Sequence, residues 1–208
     1  LDWIRGGIEV LEVAPQHGNR VTHCLPHVFD MYLKLLHPVY GGPGDTDRRI
    51  RWREIADLAK QPFTPEMHGA DFHNLLPGVH LLGPGEGDMG AETLEELIRV
   101  LAPTVLDQPC FIYWELIATE DWKEALFTGD LADIPTAANL AGAYFDTPSY
   151  LWPADRRWLV CSDFDLTFTL IGADPTIAAQ ILAADNLETM AVESNTRIDT
   201  RAWPTPGP

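Results

Sequence analysis

The sequence predicts an α+β fold, mainly an antiparallel sheet with a few short helices on it. Three observations carry that expectation. The C-terminal third reads strand, strand, helix, strand, which is not the regular alternation of a doubly wound sheet. Aromatic and β-branched runs are bounded by Pro and Gly. The helical stretches are short, and each has its own start or stop signal. The chain of 208 residues suits one domain over 1–200, with an irregular excursion at about 61–90 and a frayed tail at 201–208. With 46% hydrophobic and 22% charged residues, such a chain can bury a core without disulfides or metal.

Taken in order, "APQHGNR" within residues 1–20 reads as a loop. His27–Leu36 reads as a strand, because Pro26 and Pro38 flank an aromatic run. Gly41–Asp47 is a loop by composition. Arg51–Lys60 places Trp52, Ile55, Ala56 and Ala59 on one helical face, with Pro62 as the stop. Residues 61–90 hold many Pro and Gly, and "LLGPGEGDMG" reads as loop throughout. Thr93–Ala102 is a helix with Leu94, Leu97, Ile98 and Leu101 as its stripe, Thr93 with Glu96 as a capping box, and Pro103 ending it. Cys110–Ile117 is an aromatic central strand, and Glu120–Phe127 a helical turn between Thr119 and Gly129. "RRWLVCS" and "LTFTLIG" are two strands joined at Asp163–Asp165. A helix then starts at Asp174 as N-cap with Pro175 at its first position, and Leu187–Glu193 returns as a strand.

Charge narrows the function classes. Acidic residues number 31 against 14 basic, a formal charge of −17. A polyanion is held by Lys and Arg, so nucleic acid and anionic membranes are excluded as partners, while a basic protein partner is permitted. No run of apolar residues is long enough to span a membrane, and "LDWIRGGIEV" has no leader pattern. Cys24, Cys110 and Cys161 form no CxxC and sit beside apolar residues, which reads as buried reduced thiols in a cytoplasmic protein.

Four groups of residues could carry chemistry. "VCSDFDLTFT" presents Asp163, Asp165 and Thr167 after an apolar strand, which resembles the first motif of haloacid-dehalogenase-type phosphatases. That resemblance implies Asp163 as nucleophile, Asp165 as acid and a Mg²⁺ cofactor. However, no lysine follows Asp165 to stabilise the phosphate, and "TFTLIG" continues as alternating β-formers. Asp is equally a turn residue that bonds its own backbone, and this second reading makes the triplet a hairpin bend. His23, Cys24 and His27, and separately His68, Asp71 and His73, have metal-ligand types, but Pro26 keeps His23 and His27 off one regular helical face. Glu115 is the lone charge of its strand and is expected to meet an Arg of Asp155–Arg157. "SYLWPADRRW" is either a stiff corner or a binding surface built from Trp152, Asp155, Arg156 and Arg157.

The stretch "LWPADRRWLVCSDFDLTFTLIG" resembles a signature of uncharacterised bacterial proteins of about 200 residues. In them a W-P-x-D-R-x-W start is followed by D-x-D and T-x-x-x-G blocks. "FDMYLKLLHPVY" and "CFIYWE" look like earlier blocks of that family. The resemblance implies that Asp163 and Asp165 belong to a structural hairpin, and it implies no activity. Size and charge together are also similar to bacterial immunity proteins. The expectation is therefore a non-enzymatic, acidic, protein-binding protein of immunity-like kind. The alternative is a Mg-dependent phosphatase-like hydrolase centred on Asp163 and Asp165.

Overall fold

Alternation along the strands decides where the core sits. In Met31–Leu36 (β1), Leu33 and Leu35 point to one face, while Tyr32 and Leu36 point to the other, and all four are buried. Because both faces are apolar, both must be covered. The computed structural model describes residues 1–9, 18–41, 48–76, 78–105, 107–115 and 124–199, with the side chains of Asp71, His73 and Asn74 excepted.

The other strands are Val39–Gly41 (β2), Arg49–Ile50 (β3), Leu81–Leu82 (β4), Cys110–Trp114 (β5), Ala125–Gly129 (β6), Tyr150–Pro153 (β7), Trp158–Cys161 (β8), Phe168–Ala173 (β9) and Thr189–Val192 (β10). Seven of them form one sheet in the order β10-β1-β9-β8-β7-β5-β6, every pair antiparallel. A small sheet runs β3-β2-β4. The helices are Asp2–Arg5 (α1), Trp52–Ala59 (α2), Phe72–Leu75 (α3), Ala91–Leu101 (α4), Ile134–Ala141 (α5) and Pro175–Leu182 (α6). Ile4, Trp52, Ile55 and Phe72 pack on the face that carries Leu159, Cys161, Phe168 and Leu170. Leu94, Leu97, Ile134, Ile177 and Ile181 pack on the face of Trp158, Val160 and Ile171. The α+β expectation holds, as a sheet between two helical layers.

Several element bounds differ from the sequence reading, for identifiable reasons. The helix α4 begins at Ala91, with Gly90 at its N-cap at φ 77, a conformation glycine adopts without strain. Thr93 therefore lies inside the helix facing the core, and the expected Thr93–Glu96 capping box does not form; Glu96 instead pairs with Arg99. The helix α2 stops at Lys60 in the left-handed region, before Pro62. Leu81 and Leu82 are a strand, since they pair with β2. Ala125–Phe127, expected in a helical turn, belong to the edge strand β6, and Glu124 before them is not helical; residues 120–123 of that turn, with Thr119 as its cap, lie outside the described residues. The 42–47 loop and the 201–208 tail also lie outside them. The C-terminal reading holds closely: β8, β9, α6 and β10 occur in that order, and the Asp174 carboxylate accepts the Ile177 amide at 2.9 Å as an N-cap.

Candidate interaction surface

Asp163 and Asp165 lie in the β8–β9 connection, a bend that Asp163 shapes. Asp163 Oδ1 accepts the Asp165 amide at 2.9 Å, and the Leu166 amide donates to the Asp163 carbonyl at 3.0 Å. This is the bend that a short acidic side chain favours by bonding its own backbone. It leaves Phe164 at the tip, 46% exposed.

Two loops pack against this bend. Residues 83–90 approach through Gly87, whose amide donates to the Leu166 carbonyl at 2.9 Å. Gly87 has φ 69, and a Cβ there would stand 2.8 Å from Phe164 Cα and 3.2 Å from the Phe145 ring, so only glycine lets the loops close. Residues 142–149 bring Tyr144, 76% exposed, with its ring edge-on to Phe145 at 4.9 Å. That loop is fixed by Trp114 Nε1 donating to the Phe145 carbonyl at 3.2 Å and by the Glu115 amide donating to Ser149 Oγ at 3.0 Å. Asp88 Oδ1 accepts the Thr147 hydroxyl at 2.6 Å and the Gly90 amide at 3.0 Å, which joins the two loops.

Beneath the bend a buried hydroxyl chain holds the 83–90 loop from inside. His37 Nδ1 lies 2.7 Å from the Gly85 carbonyl, which can only accept, so that nitrogen carries the proton. Nε2 then accepts from Thr169 Oγ1 at 3.0 Å, and Thr169 in turn accepts from Ser162 Oγ at 2.5 Å. Burial drives the His37 pKa down to about 4, consistent with the neutral ring this chain requires.

The result is an aromatic patch of Tyr144, Phe145 and Phe164 rimmed by carboxylates. Glu86, Asp146 and Asp165 are exposed, Asp163 is half-buried, and Glu115 stands at the end of β5. Segments 83–90, 142–149 and 161–167 contain no Lys, Arg or His. None of these five carboxylates forms an ion pair among the described residues. Burial, then the neighbouring Asp165 charge, raises the Asp163 pKa against the backbone hydrogen bond it accepts. Burial, then Asp163 and Glu124, raises that of Glu115 against the smaller opposing effect of Arg5. Crowded carboxylates that form no ion pair favour whatever brings positive charge to them.

The other singled-out residues are placed as follows. Glu115 does not meet an Arg of Asp155–Arg157: the β5–β7 register sets Cys110 beside Pro153 and Tyr113 beside Tyr150, so Glu115 and the arginines stand at opposite sheet ends. Trp152, read as part of an exposed surface, is only 3% exposed and stacks on Phe111 at 5.3 Å. Asp155, Arg156 and Arg157 remain at the surface, and Arg156 lies over the Trp3 ring at 5.0 Å. His23 accepts the Arg20 amide on Nδ1 at 2.9 Å and faces Glu9 with Nε2 at 3.4 Å. Cys24 is buried, and His27 opens onto a cleft of about 620 Å³ shared with Asp30 and Glu66. His68 is buried against Phe168, with Nδ1 accepting the Ala70 amide at 3.2 Å. Among the described residues no group of three or more His, Cys, Asp or Glu is gathered so that it could hold a metal ion.

Sequence reasoning missed a buried amine. Lys34 Nζ donates to the Pro65 and Met67 carbonyls at 2.9 and 2.5 Å and sits 3.8 Å from the Phe168 ring centroid. Burial pushes its pKa down to about 7, against the Glu66 charge, which favours the ammonium. The signal was present, since Lys34 shares strand parity with Tyr32 and Leu36. Its role is to anchor residues 65–67 onto β1. No family model, curated protein or solved structure matches the chain, so no residue role is carried over from a relative.

Proposed function

We propose that the chain is a non-enzymatic, cytoplasmic binding protein, immunity-like in size and charge, that receives a basic protein partner on the face around the β8–β9 bend. The observation that carries this reading is the pairing of exposed aromatic rings with carboxylates, Asp163, Asp165, Glu86 and Asp146, that form no ion pair among the described residues. Aromatic side chains supply the anchors of an interface, and uncompensated charge steers a partner of opposite sign. The charge of −17 acts in the same direction at long range.

Among the described residues, no helix is long and apolar enough to cross a membrane. Asp163 directs one carboxylate oxygen to its own turn, which suits a bend more than a nucleophile. The test is to immobilise the chain, offer it the proteins of its source cell, and compare it with Phe164→Ala and with Asp163→Asn/Asp165→Asn. The reading predicts a basic polypeptide retained by the parent chain, released by salt, and weakened about tenfold or more in Phe164→Ala. Equal retention by all three chains would refute it. Mg²⁺-dependent hydrolysis of an aryl phosphate, lost in Asp163→Asn, would establish the phosphatase-like alternative instead.

A further inference from the structure

The large sheet ends on one side at β10. The Leu36 amide donates to the Glu188 carbonyl at 2.8 Å, and the β1–β10 register continues with Leu35 beside Thr189 and Leu33 beside Ala191. Facing residues of an antiparallel pair alternate between bonded and unbonded, so Thr189 and Ala191 aim their amides and carbonyls away from β1. Among the described residues no strand pairs with that outer edge. Ala191 is exposed and Thr189 half-buried. Thr189–Val192 holds no charge and no proline, the devices that keep a bare edge from pairing with another chain.

The two ends of this edge differ in charge. Past Val192, the cleft of about 620 Å³ carries Asp30, Glu66 and Glu193, and its Arg197 is already paired with Asp199 at 2.8 Å. Beside Thr189, a cleft of about 300 Å³ carries Arg51 and Arg53 along with Asp185 and Glu188. Both arginines are exposed, whereas Glu188 is buried with one oxygen 3.4 Å from the Arg53 amide. Asp30, Glu66, Glu193 and Arg53 form no ion pair among the described residues.

We propose that β10 pairs with β10 of a second copy of this chain, antiparallel about a two-fold axis at Met190, giving a dimer with one continuous sheet. Thr189 of each copy then faces Ala191 of the other, and each such pair exchanges both of its backbone hydrogen bonds. Glu193 falls opposite Leu187 of the second copy, so the acidic end of each strand meets the end that carries Arg51 and Arg53. The contact is the same patch on both copies and closes on itself, so assembly stops at two. The other edge strand, β6, is bracketed by Glu124 and Asp130, and the same self-pairing there sets acid against acid. The formal charge of −17 on each copy opposes association at long range, and salt screens that repulsion.

The test is sedimentation equilibrium of the full chain at up to about 100 μM, in about 0.15 M salt, where charges are screened beyond about 8 Å. A species of twice the 23.2 kDa chain mass, and none larger, is expected. Ala191→Pro removes an outward amide and no bond to β1, so it should keep the circular dichroism of the parent chain and sediment as a monomer. Glu193→Arg should weaken the dimer about tenfold, and Glu193→Arg/Arg53→Glu should restore it; these two chains decide the matter if Ala191→Pro does not fold. A monomer at every concentration, or a folded Ala191→Pro that still dimerises, would overturn the proposal. So would a dimer indifferent to Glu193→Arg, a double variant that restores nothing, or growth beyond two copies.

Discussion

The two turns that flank β8 contain the same kinds of residue and use them differently. At one end, Pro153–Arg157 is a closed corner. The Asp155 carboxylate accepts from Gln108 Nε2 at 2.8 Å and from the Arg157 amide at 3.2 Å. Arg157 pairs with Asp174 at 2.7 Å, and Asp174 caps α6. Arg156 rests over Trp3. Each charge there meets a partner within the fold. At the other end, Asp163 shapes the bend, but Asp165, Glu86 and Asp146 meet no cation among the described residues, and Phe164 and Tyr144 stand out from the surface. An aspartate in a turn therefore says little about function until its partners are known. The corner's charges hold elements together, whereas those of the bend meet no cation among the described residues, which is why the partner is proposed to bind there.

If that contrast is right, changes at the corner end should cost stability and changes at the bend should not. The largest effect is expected for Trp158→Ala. Trp158 is fully buried and its Nε1 donates to Thr104 Oγ1 at 2.9 Å. A loss of about 3–5 kcal/mol in urea unfolding is expected, and a loss below about 1 kcal/mol would show that the corner is not anchored in the core. Asp174→Ala removes the α6 cap and the partner of Arg157 together. It should cost about 1–2 kcal/mol, and no change in the unfolding midpoint would mean that the cap is dispensable.

At the bend the sign reverses. Burial raises the Asp163 pKa, so its ionised form opposes folding. The stability this group contributes is fully present below its unfolded-state pKa and lost as pH rises through the folded-state value. An asparagine side chain carries no charge, and its oxygen could still accept the Asp165 amide. Asp163→Asn should therefore raise the thermal midpoint at pH 7, with the gain shrinking as pH falls through the carboxylate range. A lower midpoint at pH 7 would reveal a compensating cation. The smallest stability effect belongs to Phe164→Ala, within about 0.5 kcal/mol by urea unfolding; a larger loss would make Phe164 a core residue and remove it from the interaction surface.

How much of this was legible depends on whether the signal was local. The β8–β9 hairpin, the Asp174 cap and β10 rest on alternation and on contacts a few residues apart, which the sequence displays. The strand β6 escapes sequence reading because "ALFTG" is an edge strand paired with β5, and its pattern carries no strong period. Glu115 was matched to the wrong end of the sheet because strand register is not local. The candidate surface was half visible. Asp163 and Asp165 could be singled out, but Tyr144, Phe145 and Glu86 come from loops whose convergence depends on the strand order and on Gly87. Lys34 is a lysine in a strand, yet it shares strand parity with Tyr32 and Leu36, which places it against the core.

The most direct test of the central claim is hydrogen–deuterium exchange of the chain with and without the basic polypeptide proposed as its partner. The account predicts slowed exchange at residues 83–90, 144–147 and 163–166, with 153–157 unchanged. Protection confined to 153–157, or to neither turn, would contradict it.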